Sequence, residues 1–117
     1  MITIYHNPRC SKSRAACELV STASTSEPVQ VIEYLKHPLS VEQLKALHAM
    51  LGGALLDMVR TGETEYKALG LDAAGVTDDR LYEAIARHPI LLQRPIVVRD
   101  GRAVIGRPTE NIAALLD

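Results

Sequence analysis

The sequence has no tryptophan and no phenylalanine, so its interior must be built from aliphatic side chains and four tyrosines. It has no excess of positive charge either: 13 lysines and arginines face 14 acidic residues, for a net charge of −1. That balance excludes the basic field of a nucleic-acid-binding domain and a polybasic membrane anchor. No apolar run approaches the roughly 18 residues of a membrane span. The opening MITIYHN reads as a strand rather than a signal peptide, so a cytoplasmic location is expected. With only two cysteines, a disulfide scaffold is excluded, and in a reducing compartment both are expected as free thiols. No repeat, linker or low-complexity stretch divides the chain. Its 117 residues suffice for one core without covalent staples, so a single domain over 1–117 is expected.

What is present is ordinary in bulk and specific in detail. Apolar residues make up 47% and charged residues 23%, as in soluble globular proteins. Arginine outnumbers lysine nine to four, which favours planar, bidentate recognition of oxyanions. ITIY (2–5) alternates and is rich in β-branched residues, predicting a first strand. SKSRAACELV (11–20) predicts a helix, STASTSEP (21–28) a polar turn, and VQVIEYL (29–35) a second strand, parallel to the first if the helix is a crossover. Ser40 and Gln43 form a capping-box pattern before EQLKALHAML, a helix that Gly52-Gly53 ends. Short helical pieces are expected in ALLDMVR and TEYKALGL, and Thr77 as the cap of DDRLYEAIARH. In RPIVVRDGRAVIGRP two strands meet at Asp100-Gly101, a pair suited to a type I′ turn, with Arg99 and Arg102 placed on the exposed hairpin turn. PTENIAALL predicts a last helix with proline near its start. The order is α/β: a βαβ…ββα plan with an inserted helical block and a four-stranded mixed sheet, the arrangement of a thioredoxin-like domain.

The chemistry centres on HNPRCSKSR. Cys10 sits at the junction of strand and helix, over the positive end of the helix dipole and among unpaired backbone N–H groups. Arg9, Lys12 and Arg14 add positive charge nearby. Such a setting lowers a thiol pKa from about 8.5 to roughly 3.5–7.5, giving a thiolate nucleophile, and the same N–H groups can hold an anion. Cys17 lies about 10 Å further along the helix axis, at 1.5 Å per residue, beyond the roughly 7 Å that a disulfide spans between Cα atoms. A packed, inert thiol is expected there. Ser13 occupies the place of the second thiol in a CxxC pair, so a resolving thiol must come from elsewhere. Pro95, after Arg94 and before the IVV strand, is expected to be cis. Arg94, Arg107 and Arg60 read individually as solvated charges as readily as ligands. His6 reads equally as a structural or a catalytic histidine.

Together, HNPRCSKSR, the Arg60 segment with EYKALGL, HPILLQRPIVV and IGRP resemble the glutaredoxin-coupled, thioredoxin-like arsenate reductase family, in order and spacing over essentially the whole chain. The resemblance implies that Cys10 attacks arsenate to form an arsenic–sulfur adduct. It also implies that Arg60, Arg94 and Arg107 hold the oxyanion, with His6, Ser13, Arg14 and Pro95 in support. Glutathione and glutaredoxin would then serve as reductants, releasing arsenite, with no bound cofactor or metal. Two other readings stand beside it. One is an Spx-like regulator that binds RNA polymerase, against which Ser13 and Arg107 both argue. The other is a monothiol glutaredoxin-like disulfide reductase, which leaves Arg60 and Arg107 without a role.

Overall fold

Alternation in the first five-residue strand turns Ile2 and Ile4 to one face, where both are fully buried. The protein is described here from a computed structural model covering residues 1–23 and 27–116. Residues 24–26 of the turn expected at 21–28 lie outside the described residues. Along the chain the elements are β1 (Ile2–His6), α1 (Ser11–Thr22), β2 (Val29–Glu33), α2 (Val41–Leu51), a 3₁₀ turn at Leu55–Met58, α3 (Thr64–Ala68), α4 (Asp78–Arg87), a 3₁₀ turn at Pro89–Leu91, β3 (Ile96–Arg99), β4 (Arg102–Ile105) and α5 (Glu110–Leu116). They form two units, Met1–His37 with Arg94–Asp117, and Pro38–Gln93.

The first unit holds a four-stranded mixed sheet in the order β2-β1-β3-β4. β1 pairs parallel with β2 through the α1 crossover, while β3 pairs antiparallel with both β1 and β4. Ile2, Ile4 and Val97 from the sheet pack with Ala16 and Val20 of α1 and Ile112 and Leu115 of α5. Burying aliphatic side chains of this size contributes about 1.5–3 kcal/mol each, and this cluster holds both helices to the sheet. The strand directions have a consequence for the site: the ends of β1, β2 and β4 and the start of β3 all lie at one end of the sheet. This is the expected βαβ…ββα arrangement, with the second unit as the helical block inserted in sequence between β2 and β3.

The hairpin turns on Asp100 and Gly101, both at positive φ (52° and 75°), as a type I′ turn requires. β2 is shorter than expected. It stops at Glu33, whose carbonyl accepts from the N–H groups of Lys36 and His37, closing a turn. Arg99 is not the exposed turn residue that the hairpin sequence suggests. As the last residue of β3 it pairs in register with Ile2, and its guanidinium forms an ion pair with Glu27. Its Nη1 also donates to the carbonyl of Leu116 at 2.7 Å, near the end of α5.

In the second unit, Ser40 and Gln43 form the expected capping box at the start of α2, and Thr77 accepts from the Arg80 N–H at the start of α4. Helices α2 and α4 pack against each other. His48 ties them, with Nδ1 2.6 Å from the Tyr82 hydroxyl and Nε2 2.9 Å from the Gly53 carbonyl oxygen. Among the described residues no helix is long and apolar enough to cross a membrane.

Candidate active site

Cys10 is the N-cap of α1, with extended backbone (φ −100°, ψ 122°). The turn that brings it there is made by Asn7, which is 7% exposed. The Asn7 side-chain oxygen accepts from the Arg9 N–H at 3.0 Å, and its backbone carbonyl accepts from the Cys10 N–H at 3.0 Å. Such an Asx turn reverses the chain between strand and helix. Arg14 Nη1 donates to the Pro8 carbonyl at 2.8 Å, which ties the loop to the first helical turn.

The Cys10 thiol is partly buried. Burial by itself raises a thiol pKa, but here it is outweighed. The Ser13 N–H, the Arg94 charge, the Lys12 N–H and the Arg107 charge all favour the thiolate, so the pKa falls below its ordinary value. Lys12 thus acts through its backbone, and the charges come from far along the chain. Arg107 Nη2 lies 3.6 Å from Cys10 Sγ. The Arg107 guanidinium is itself held, its Nε donating to the Arg94 carbonyl at 2.6 Å. Arg94 and Arg107 each precede a cis proline, Pro95 and Pro108. Asn111 Nδ2 donates to the Ile105 carbonyl at 3.0 Å and to that of Arg107 at 3.4 Å, fixing the turn between β4 and α5.

Under this loop Gly106 sits where space is tight. Its N–H donates to the Pro95 carbonyl at 2.9 Å. A Cβ at this position would lie 2.6 Å from Ile112 Cδ1 and 2.9 Å from Pro95 Cγ.

Behind Cys10 lies a polar cluster. Ser13 is fully buried; its hydroxyl accepts from the Asn7 N–H at 2.9 Å and shares a 2.7 Å hydrogen bond with His6 Nδ1. The same ring nitrogen is 3.4 Å from Cys17 Sγ. Burial lowers the His6 pKa against the opposing pull of Glu33, leaving the ring neutral near pH 7. Burial raises the Cys17 pKa, so the two thiols are driven in opposite directions.

The first unit therefore brings together Cys10, Arg94, Arg107, Pro95, His6, Ser13 and Arg14. Arg60 belongs to the second unit. Its Nη1 pairs with Glu63 Oε1 at 2.5 Å, and its N–H donates to the Leu91 carbonyl at 2.8 Å. Two loop-forming residues, Asn7 and Asn111, are absent from the sequence reading. The Asn-Pro dipeptide after a strand is a turn signal that marks the first, whereas nothing local marks the second. Among the described residues no three His, Cys, Asp or Glu side chains are grouped as metal ligands would be. The arrangement offers a thiol whose ionisation is favoured, with one guanidinium 3.6 Å away and the charge of a second acting on it, chemistry suited to attack on a tetrahedral oxyanion.

Comparison with known proteins gives concordant results. A sequence model of the ArsC family matches residues 5–115. An arsenate reductase of Neisseria meningitidis is 46% identical over 116 residues, spanning 98% of this chain and 97% of the relative. One from Haemophilus influenzae is 36% identical, spanning 98% of each. The solved arsenate reductase of Vibrio cholerae superposes with a TM-score of 0.90 at 43% identity, covering 97% of this chain and 95% of that one.

Proposed function

The chain belongs to the ArsC family, and on that footing we propose that it is an arsenate reductase acting through Cys10. The observation that carries this reading is the approach of Arg107 Nη2 to Cys10 Sγ, 3.6 Å apart, at the head of a helix. Arsenate near neutral pH is an anion, so a thiolate approaching it meets like charge. Guanidinium groups that pair with the oxygens lower that cost and stabilise charge in the transition state. In this reading Arg94 and Arg107 hold the oxyanion. The whole of 1–117 acts as one catalytic domain in the cytoplasm.

The thiolate displaces one arsenate oxygen, which takes up protons and leaves as water, and an Sγ–As bond forms. Arsenic must then fall from +5 to +3, which requires two thiols to be oxidised to one disulfide. Cys17 is a poor source, because burial raises its pKa and its sulfur lies against His6. External thiols, glutathione with glutaredoxin, supply what is missing and regenerate Cys10. Phosphate has nearly the same shape and charge as arsenate. Selectivity therefore rests on the reducibility of arsenic and its acceptance of sulfur.

Steady-state reduction of arsenate with glutathione and glutaredoxin tests the reading. Cys10→Ser should abolish turnover and Cys17→Ser should keep most of it. A folded Cys17→Ser protein without activity, together with a Cys10–Cys17 bond in the oxidised wild type, would show an intramolecular mechanism instead.

A further inference from the structure

The guanidinium of Arg107 lies with Nη2 3.6 Å from Cys10 Sγ and is fastened at Nε by the Arg94 carbonyl. The main chain of Arg107 has a separate fastening. Its peptide runs into Pro108, which has no N–H with which to close a turn, and the closure comes from a side chain of α5. Asn111 Nδ2 donates to the Ile105 carbonyl at 3.0 Å and to the Arg107 carbonyl at 3.4 Å, so one amide grips the chain on both sides of Gly106. We propose that Asn111 is a positioning residue for the reaction at Cys10, setting through the Arg107 main chain where that guanidinium meets the thiol and the oxyanion. The inference rests on the reductase reading and goes beyond it by adding a residue that acts only through another.

The chemistry of the side chain fits the task. Both partners of the amide are carbonyl oxygens, which only accept, so its NH2 end must face them, and two hydrogens match two acceptors. Aspartate would set oxygen against oxygen, and an apolar side chain would offer no donor. The amide also stands on a fixed base. Ile112, the next residue, is fully buried in the cluster that joins α1 and α5 to the sheet. The far end of α5 is tied to β3, where Arg99 Nη1 donates to the Leu116 carbonyl at 2.7 Å. The Asn111 N–H donates to the Pro108 carbonyl at 3.1 Å, which sets where the side chain starts. Arg107 is thus held from two directions, at its guanidinium by the Arg94 main chain and at its backbone by α5. Without the second hold it is tethered at Nε alone, and the main chain no longer fixes its reach to the sulfur.

The test separates positioning from plain stability. Asn111→Leu removes both donors at similar size and is the better helix former, and Asn111→Ala is the second variant. In a Cys17→Ser background, iodoacetamide alkylation across pH should show the Cys10 midpoint displaced upward in both. In turnover, kcat/KM for arsenate should fall about three- to tenfold, the equivalent of one exposed hydrogen bond. Ala113→Gly, at an exposed position of the same helix, weakens α5 through propensity alone. It should lower the melting temperature and leave the alkylation midpoint in place. Placed in the Arg107→Lys protein, Asn111→Leu should have little further effect on either readout, because the group it positions is already gone. An unmoved midpoint in both Asn111 variants would overturn the proposal. So would an equal shift in Ala113→Gly, or an undiminished further loss in the Arg107→Lys protein. If the wild type reduces no arsenate with any thiol, the reductase reading fails, while the alkylation comparison still decides whether Asn111 places Arg107.

Discussion

The Nε of Arg107 donates a 2.6 Å hydrogen bond to the backbone carbonyl of Arg94, so one arginine of the site is positioned by the main chain of the other. With Nε committed, the terminal nitrogens are left for other partners, and Nη2 lies 3.6 Å from the thiol; under the proposed function they would also hold the oxyanion. Lysine at this position would keep the charge and lose both the anchor and the planar fork. Arg107→Lys should therefore lower kcat/KM for arsenate by on the order of 10²-fold, the usual cost of one preorganised donor. Arg102→Lys, on the exposed hairpin, should change it little. Kinetics on the two proteins, with circular dichroism as the folding control, make the comparison, and equal behaviour would remove Arg107 from the site.

The Cys10 thiol should titrate below the ordinary cysteine value of about 8.5. Iodoacetamide alkylation of the Cys17→Ser protein across pH reads it directly. The linked effect on stability has a definite sign. Between the lowered folded-state pKa and the unfolded-state value, the unfolded chain binds the extra proton, so stability rises with pH across that window and falls as pH drops through the folded pKa. Cys10→Ser should flatten this slope in urea denaturation. An alkylation midpoint at or above the ordinary value would contradict an activated thiol.

Ser13 is fully buried between His6 Nδ1 and the Asn7 N–H. Ser13→Ala leaves that N–H without its acceptor in the interior, a loss of about 1–3 kcal/mol. The measurement is the denaturation midpoint, with the exposed Ser11→Ala of the same helical turn as the reference. A midpoint equal to the reference would mean that water replaces the hydroxyl.

At Gly106 a methyl group would strike Ile112 and Pro95, joining a packing fault to the loop that carries Arg107. Gly106→Ala should cost about 1–3 kcal/mol, in the range of other overpacked sites, and should depress turnover as well. Gly62→Ala meets nothing within 4 Å and should be neutral in thermal unfolding. If both melt alike, the close approach is less strict than the distances imply.

The parts legible in the sequence are those whose cause is local. Alternation marks β1, the Ser40–Gln43 pair marks the start of α2, and Asp100-Gly101 marks a turn needing two positive φ angles. The place of Cys10 at a helix N-terminus follows from the same local signals. The sequence hides the place of Arg99 because its surroundings are set by register: it pairs with Ile2 and bonds to Glu27 and to the end of α5, neither of which is near it in sequence. Ser13 reads as a missing thiol, and only the tertiary packing shows its hydroxyl as the hub for His6 and Asn7. The clasp between Arg107 and the Arg94 carbonyl is invisible for a similar reason, since a main-chain acceptor leaves no trace in residue type.

Cys10 and Arg107 are 97 positions apart in the chain, and the Arg94 charge comes from nearly as far. During synthesis the thiol thus emerges from the ribosome long before either guanidinium exists. The helix head alone then tempers its pKa, and a helix of this length is marginal without tertiary support. The two guanidinium groups can therefore add to the lowering of the Cys10 pKa only once the β3–β4 hairpin has joined the sheet. The lowered pKa of this one sulfur thus joins a local contribution from the helix head to a long-range one from the far end of the chain.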